Sequence, residues 1–202
     1  WMISEFASAG NVLIIAISQT ASPMGAWYIY SFTTPDFPDY PKYSIWPDAY
    51  YATTNENDPA VYAFDRTKML VGDPTATMQR FTLSAFPTIG FQAATPVSLS
   101  GTTLPPAGTP GLIMRMADDA WSATIPTDRL ELFDFDVDFI TPANSNISGP
   151  TYLTTAPFDT HLCGYTSFSC INQPGNTNLD PLREVLMNRI FYRNFGSHAS
   201  FS

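Results

Sequence analysis

Phe37-Pro38-Asp39-Tyr40-Pro41-Lys42-Tyr43-Ser44-Ile45-Trp46-Pro47-Asp48-Ala49-Tyr50-Tyr51 decides what kind of fold this chain can adopt. Aromatic rings alternate there with three prolines and two aspartates, a mixture too rigid for a linker and too broken for a helix. Each proline fixes its own φ and pushes the preceding residue toward extended backbone. The stretch therefore reads as a stiff, extended connection whose rings need a packing surface and whose aspartates need partners.

On either side the pattern is that of short strands. Asn11–Ser18 is continuous and β-branched and reads as a strand buried on both faces. Ser22–Gly25 is a turn, and Ala26–Thr33 is a second strand with rings on both faces. Further strands are expected at Tyr50–Thr54, Val61–Phe64, Gln79–Ser84, Gly90–Ala94 and Leu112–Met116, with a turn at Asn55–Pro59 and one helical turn at Thr67–Leu70. Thr95–Pro110 is a Pro/Gly/Thr/Ser loop long enough to suggest a binding or packing role. Phe133, Phe135, Val137 and Phe139 alternate with Leu132, Asp134, Asp136 and Asp138, the mark of a strand with one greasy and one mostly acidic face. Asp180-Pro181 fits an N-cap and first helical position, predicting a short helix through Leu186, followed by a strand from Met187 to Tyr192.

Composition excludes several classes. Charged residues make up 13% of the 202, well below the roughly 25% of an average soluble chain, and the net charge is −9. Only two lysines (Lys42, Lys68) and seven scattered arginines are present, so no basic groove for nucleic acid is expected. The longest apolar run, Val12–Ile17, falls far short of the roughly 20 residues of a membrane span. The chain opens on Trp1-Met2 without a basic leader, which we read as a segment of a longer exported polypeptide. Cys163 and Cys170 stand in one loop-like stretch. A local disulfide of an extracellular or cell-surface protein is the favoured reading, against free thiols or half a metal site completed by His161.

The class is all-β, taken as a single domain over residues 1–202. Strands every 10–15 residues, with rings on both faces and long loops, suit a β-propeller of four-stranded antiparallel blades. At roughly 40–45 residues per blade the chain supplies about four. Trp27, Tyr30, Phe133 and Phe135 are expected between layers, and a β-sandwich or jelly roll is the alternative. Gly25–Tyr28, Phe37–Lys42, Trp46–Tyr51, Ala63–Arg66 with Met69-Leu70, Pro105–Gly108, Pro142–Ser145 with Gly149-Pro150, Leu179–Leu182 and Tyr192–His198 together resemble a family of bacterial secreted or surface, propeller-like proteins. That resemblance implies the middle portion of a propeller, neighbouring adhesion-type modules and no established reaction.

Candidate sites follow. Asp39, Tyr40, Lys42, Trp46, Asp48 and Tyr50 could form a polar and aromatic cluster at a propeller mouth, where a sugar stacks on rings and bonds to acids. The competing and favoured reading has the acids satisfying turns and Lys42 pairing one of them. Asp134, Asp136 and Asp138 are the calcium candidates. Same-face strand residues lie roughly 7 Å apart, however, so a solvated acidic face is preferred to a cation site. Asn55, Asn57 and Asp58 read as a plain turn, and Asn146-Ile147-Ser148 is a sequon of chance frequency. No Gly-x-Ser-x-Gly elbow is present and no nucleophile is paired by motif with His198. A non-catalytic adhesion, assembly or glycan- and protein-binding module is expected, without a resident cofactor. A propeller-type carbohydrate-active enzyme is the rival.

Overall fold

The computed structural model describes residues 1–7, 10–87, 89–165, 167–175 and 177–202. Three strands open the chain as an antiparallel meander: β1 (Met2–Phe6), β2 (Val12–Ser18) and β3 (Trp27–Thr33). The second sheet is a four-stranded meander of β4 (Asp39–Ile45), β5 (Ala49–Asn55), β6 (Ala60–Asp65) and β7 (Met78–Thr82), with the helical turn α1 (Arg66–Met69) between the last two. Two short strands follow, β8 (Thr95–Pro96) and β9 (Ser98–Ser100), then β10 (Gly111–Ala117), β11 (Arg129–Asp136) and β12 (Asn146–Thr154). The third sheet runs β12-β11-β10-β8. The fourth joins β13 (Phe191–Asn194) to β14 (Ala199–Phe201) and, in parallel, to β9.

The Phe37–Tyr51 stretch is no connection. It forms a strand, a turn and the start of the next strand, and β4 pairs with β5 from Asp39↔Asn55 to Ile45↔Tyr50. Prolines are admitted because β4 is an edge strand, where Pro41 has no ladder bond to lose. A bulge between Asp39 and Lys42, with Tyr40 at φ +53, absorbs the extra residue.

The second sheet lies between two others, and period-2 geometry separates its faces. Tyr50, Ala52, Ala60, Tyr62 and Phe64 pack on Leu13, Ile15, Ile17, Tyr30 and Phe32 of the first sheet. Ala49, Tyr51, Val61 and Ala63 pack instead with Ile113, Phe133 and Phe135 of the third. Lying between two sheets, β5 and β6 are buried almost without a break, and their rings and small apolar residues point to both sides. Gly111 is required there, since a Cβ on it would lie 2.2 Å from the ring of Tyr51.

Several expectations are corrected. β2 and β3 bury one face only, with Ile29 left 70% exposed. Trp27 therefore sits on the side of its strand away from Tyr30, its indole N–H donating to the Pro23 carbonyl at 3.2 Å, whereas Tyr30, Phe133 and Phe135 do lie between layers. Gly90–Ala94 is irregular, because the Gln92 side chain holds the Phe86 backbone at both its N–H and its carbonyl. The Thr95–Pro110 loop contains two short strands. No helix forms after Asp180: its carboxylate accepts from Leu182 N at 2.9 Å, and Leu182 at φ +40 leaves the helical path. The last predicted strand starts only at Phe191. Cys163 and Cys170 are joined by a disulfide. No helix among the described residues is long and apolar enough to cross a membrane.

Candidate functional site

The β4–β5 turn, the loop before β10 and the end of β11 converge around a cavity of about 480 Å³. Pro47, Pro105, Pro106 and Pro110 line it, with Trp46 and Phe135 beneath and Asp48, Asp136 and Asp138 at the rim. The loop is stiffened by its prolines and by Thr109, whose N–H and hydroxyl both donate to the Pro106 carbonyl. Asn194 anchors it from β13 through the Leu104 carbonyl at 2.6 Å. Rigid apolar walls with a few polar groups are the ordinary make-up of a small-molecule site.

The three rim acids differ in chemistry. Asp48 accepts from the hydroxyl of Tyr51 at 2.7 Å. Burial, and then the Asp48 carboxylate, push the Tyr51 phenol far above its ordinary range, so it remains a donor. Asp138 is enclosed in its own turn, accepting from Thr141 N at 2.7 Å, Ile140 N at 2.9 Å and Asn144 Nδ2 at 3.0 Å. Those bonds, Thr141 foremost, hold its carboxyl below the usual aspartate value. Asp136 is exposed, and its carboxylate makes no hydrogen bond among the described residues.

One pH effect follows. A depressed folded pKa adds stability that is complete above the ordinary value of 3.8 and disappears as pH falls through the lower folded value. Asp138→Ala is therefore expected to melt below the parent at neutral pH, with the gap closing in acid. Thermal melts of both proteins from pH 7 to pH 2, roughly spanning the carboxylate range, check this. A gap that stays constant into acid would refute the assignment.

The six residues singled out in the β4–β5 hairpin do not share one site. Trp46 is 1% exposed and donates to the Val97 carbonyl at 2.6 Å; Tyr50 is buried against the first sheet, on the opposite face. Asp39 bonds Asn55 Nδ2 at 3.3 Å at the open end of the hairpin, roughly 20 Å from the Asp48 turn at ~3.3 Å per residue. Lys42 donates to the Leu186 carbonyl and to Thr95 Oγ1, and burial lowers its pKa. Tyr40 meets Met187 Sδ at 3.7 Å, so this pair ties the 186–187 segment to the sheet. Of the six, Trp46 and Asp48 line the large cavity.

The acids of β11 do not converge on a cation. Asp134 and Asp136 share one side of the strand, and Asp138 belongs to its turn. Burial, then Asp136, raises the Asp134 pKa. Among the described residues the acids that do converge, within 4.8 Å, are Asp118, Asp119 and Asp128. Both oxygens of Asp118 and of Asp128 already accept protein N–H or O–H donors, which staples 158–160 to this corner. Asn55, Asn57 and Asp58 form a turn, with Asn57 Nδ2 on Asp36 at 2.6 Å and Asn55 Oδ1 accepting from Gln92 N. Asn146 is exposed, at the start of β12.

Two buried ionic networks escaped the sequence reading. Glu56 accepts from Thr54, Tyr62 and Arg80. Glu131, 2% exposed, accepts from Arg115 and Arg129. A signal existed for the second: Glu131 is in phase with Phe133 and Phe135, so the alternation already put an acid on the buried face. Comparison with known protein families, curated proteins and solved structures finds no match to this chain.

Proposed function

We propose that the chain is a non-catalytic binding module of an extracellular or cell-surface protein, built from propeller-type blades and serving adhesion or assembly through glycan or protein contacts. The observation carrying this reading is the cavity of about 480 Å³ with rigid proline walls, in which Asp48 and Asp138 are already hydrogen-bonded. Blades are favoured over a jelly roll because the second sheet is a sequential meander stacked face to face between two neighbours. The disulfide suits an oxidising compartment. Ile3 and Ile29, 58% and 70% exposed on the outer side of the first sheet, suit a protein neighbour. The resemblance to secreted and surface propeller-like proteins points the same way.

A glycosidase reading has one specific support. Asp48 and Asp136 line the same cavity, and both act on the Tyr51 phenol. Paired carboxyls across a cleft are what sugar hydrolysis needs. A glycan array coupled to a hydrolysis screen separates the two. Saturable glycan capture without turnover, weakened by Asp136→Asn and unchanged by the remote Asp39→Asn, is the expected result. Turnover abolished by Asp48→Asn or Asp136→Asn would overturn it.

A further inference from the structure

Arg115 on β10 lies directly across from Glu131 on β11, and Arg129 sits two residues earlier on the same face. Glu131 Oε2 accepts from Arg115 Nε at 2.8 Å, and Oε1 accepts from Arg129 Nε at 3.0 Å and Nη2 at 2.7 Å. Arg115 Nη1 donates to the Ser84 carbonyl at 2.7 Å. Two guanidinium nitrogens remain: Arg115 Nη2 and Arg129 Nη1 make no hydrogen bond among the described residues. Both arginine side chains are only 9% exposed, yet neither free nitrogen is fully buried, so the cluster opens to solvent at these two donors.

Aromatic rings flank both guanidiniums. Arg115 Cζ stands 4.2 Å from the centroid of Phe86 and 5.3 Å from that of Phe133, and Arg129 Cζ stands 4.2 Å from that of Tyr152. Two cations face one carboxylate, leaving one positive charge in excess in a chain of net charge −9. Glu184, which lines a small hollow with Arg115 and Phe86, does not supply the missing anion, since its ion-pair partner is Arg183 at 3.3 Å. Both arginines line a separate cavity of about 440 Å³ between the Thr82–Pro87 segment and the third sheet.

We propose that this cavity binds a hexuronate, a six-membered sugar acid whose carboxylate bridges Arg115 and Arg129. A carboxylate offers two oxygens, one for the free nitrogen of each guanidinium, and each such contact is a charge-assisted hydrogen bond. Its single charge equals the excess of the cluster, where a phosphate dianion would overshoot. The cavity far exceeds a bare carboxylate. Pro87, Pro150 and Tyr152 give it flat apolar surface for the C–H side of a sugar ring, and Thr124 and Ser84 add polar groups. The charged end of this site lies away from the Asp48 cavity: Arg129 and Phe135 are six residues apart on β11, roughly 20 Å at ~3.3 Å per residue.

Calorimetric titration with glucuronate, galacturonate, glucose, acetate and inorganic phosphate tests the assignment. At least one uronate should bind saturably and more tightly than glucose, acetate or phosphate. Arg129→Gln leaves Arg115 and Glu131 as a neutral pair and should weaken the uronate about tenfold or more. Asp48→Asn, in the other cavity, should leave uronate binding unchanged, so this site stands or falls apart from the first. No uronate binding, equal binding of acetate or phosphate, or undiminished binding by Arg129→Gln would overturn the proposal. Should Arg129→Gln fail to fold, amide shift mapping on the parent protein decides. Uronate-induced shifts at Ser84, Phe86 and Tyr152 support the site, and shifts confined elsewhere refute it.

Discussion

Glu131→Gln is expected to destabilise the protein by about 3–5 kcal/mol, the usual cost of stripping one partner from a buried ionic cluster. Arg115 and Arg129 would then face each other across a neutral amide, with both side chains 9% exposed. Burial already draws the Arg115 pKa down, and Glu131 only partly offsets it. Removing that carboxylate leaves two like charges in a region of weak screening. Urea unfolding of parent and variant measures the loss. The mechanism has an internal control: replacing the whole cluster with apolar residues (Arg115→Met, Glu131→Leu and Arg129→Met together) strands neither a charge nor an amide and should recover most of the stability. A loss under about 1 kcal/mol for the single change would mean that solvent screens the cluster as it does a surface pair.

Phe135→Ala is expected to cost a similar ~3–5 kcal/mol, for an apolar reason. Phe135 is 0% exposed and meets Tyr51 of β5 at 5.6 Å and Phe81 of β7 at 5.2 Å between ring centroids. Its ring spans the gap between the second and third sheets. A fall in urea midpoint at unchanged slope is the expected signature. Because Phe135 also lines the Asp48 cavity, the variant should lose ligand capture there while keeping uronate binding at Arg129. A fall below about 1.5 kcal/mol would show that the layers collapse into the space, as cores do when repacking is easy.

Much of the local structure was legible because it depends on nearest neighbours. The alternation through Phe133 and Phe135 sorted the faces of β11, and continuous β-branched and aromatic runs marked β2, β5 and β6. The Asn55–Pro59 turn and the helical turn at 66–69 were readable from composition. Cys163 and Cys170 were close enough in sequence for a disulfide to be the favoured reading. The failures also have local causes. An Asp-Pro pair caps a helix or a turn equally well, and with Leu182 left-handed the turn prevailed.

What the chain by itself determined is therefore an all-β protein, the identity of most strands and the face each residue takes within them. The tertiary structure alone decided which faces are covered. Trp46 and Tyr50 stand four residues apart in one hairpin, and both looked like sugar platforms. Stacking of the second sheet between two others buried the one with the third sheet's core and the other against the first. The large cavity joins the 46–48 turn, the 104–110 loop and the end of β11. The arginine cluster joins β10 to β11, whose facing residues Arg115 and Glu131 lie 16 apart in sequence. Periodicity reports on the two sides of a strand. It carries no information about what lies across the gap, and the candidate sites are made of such gaps.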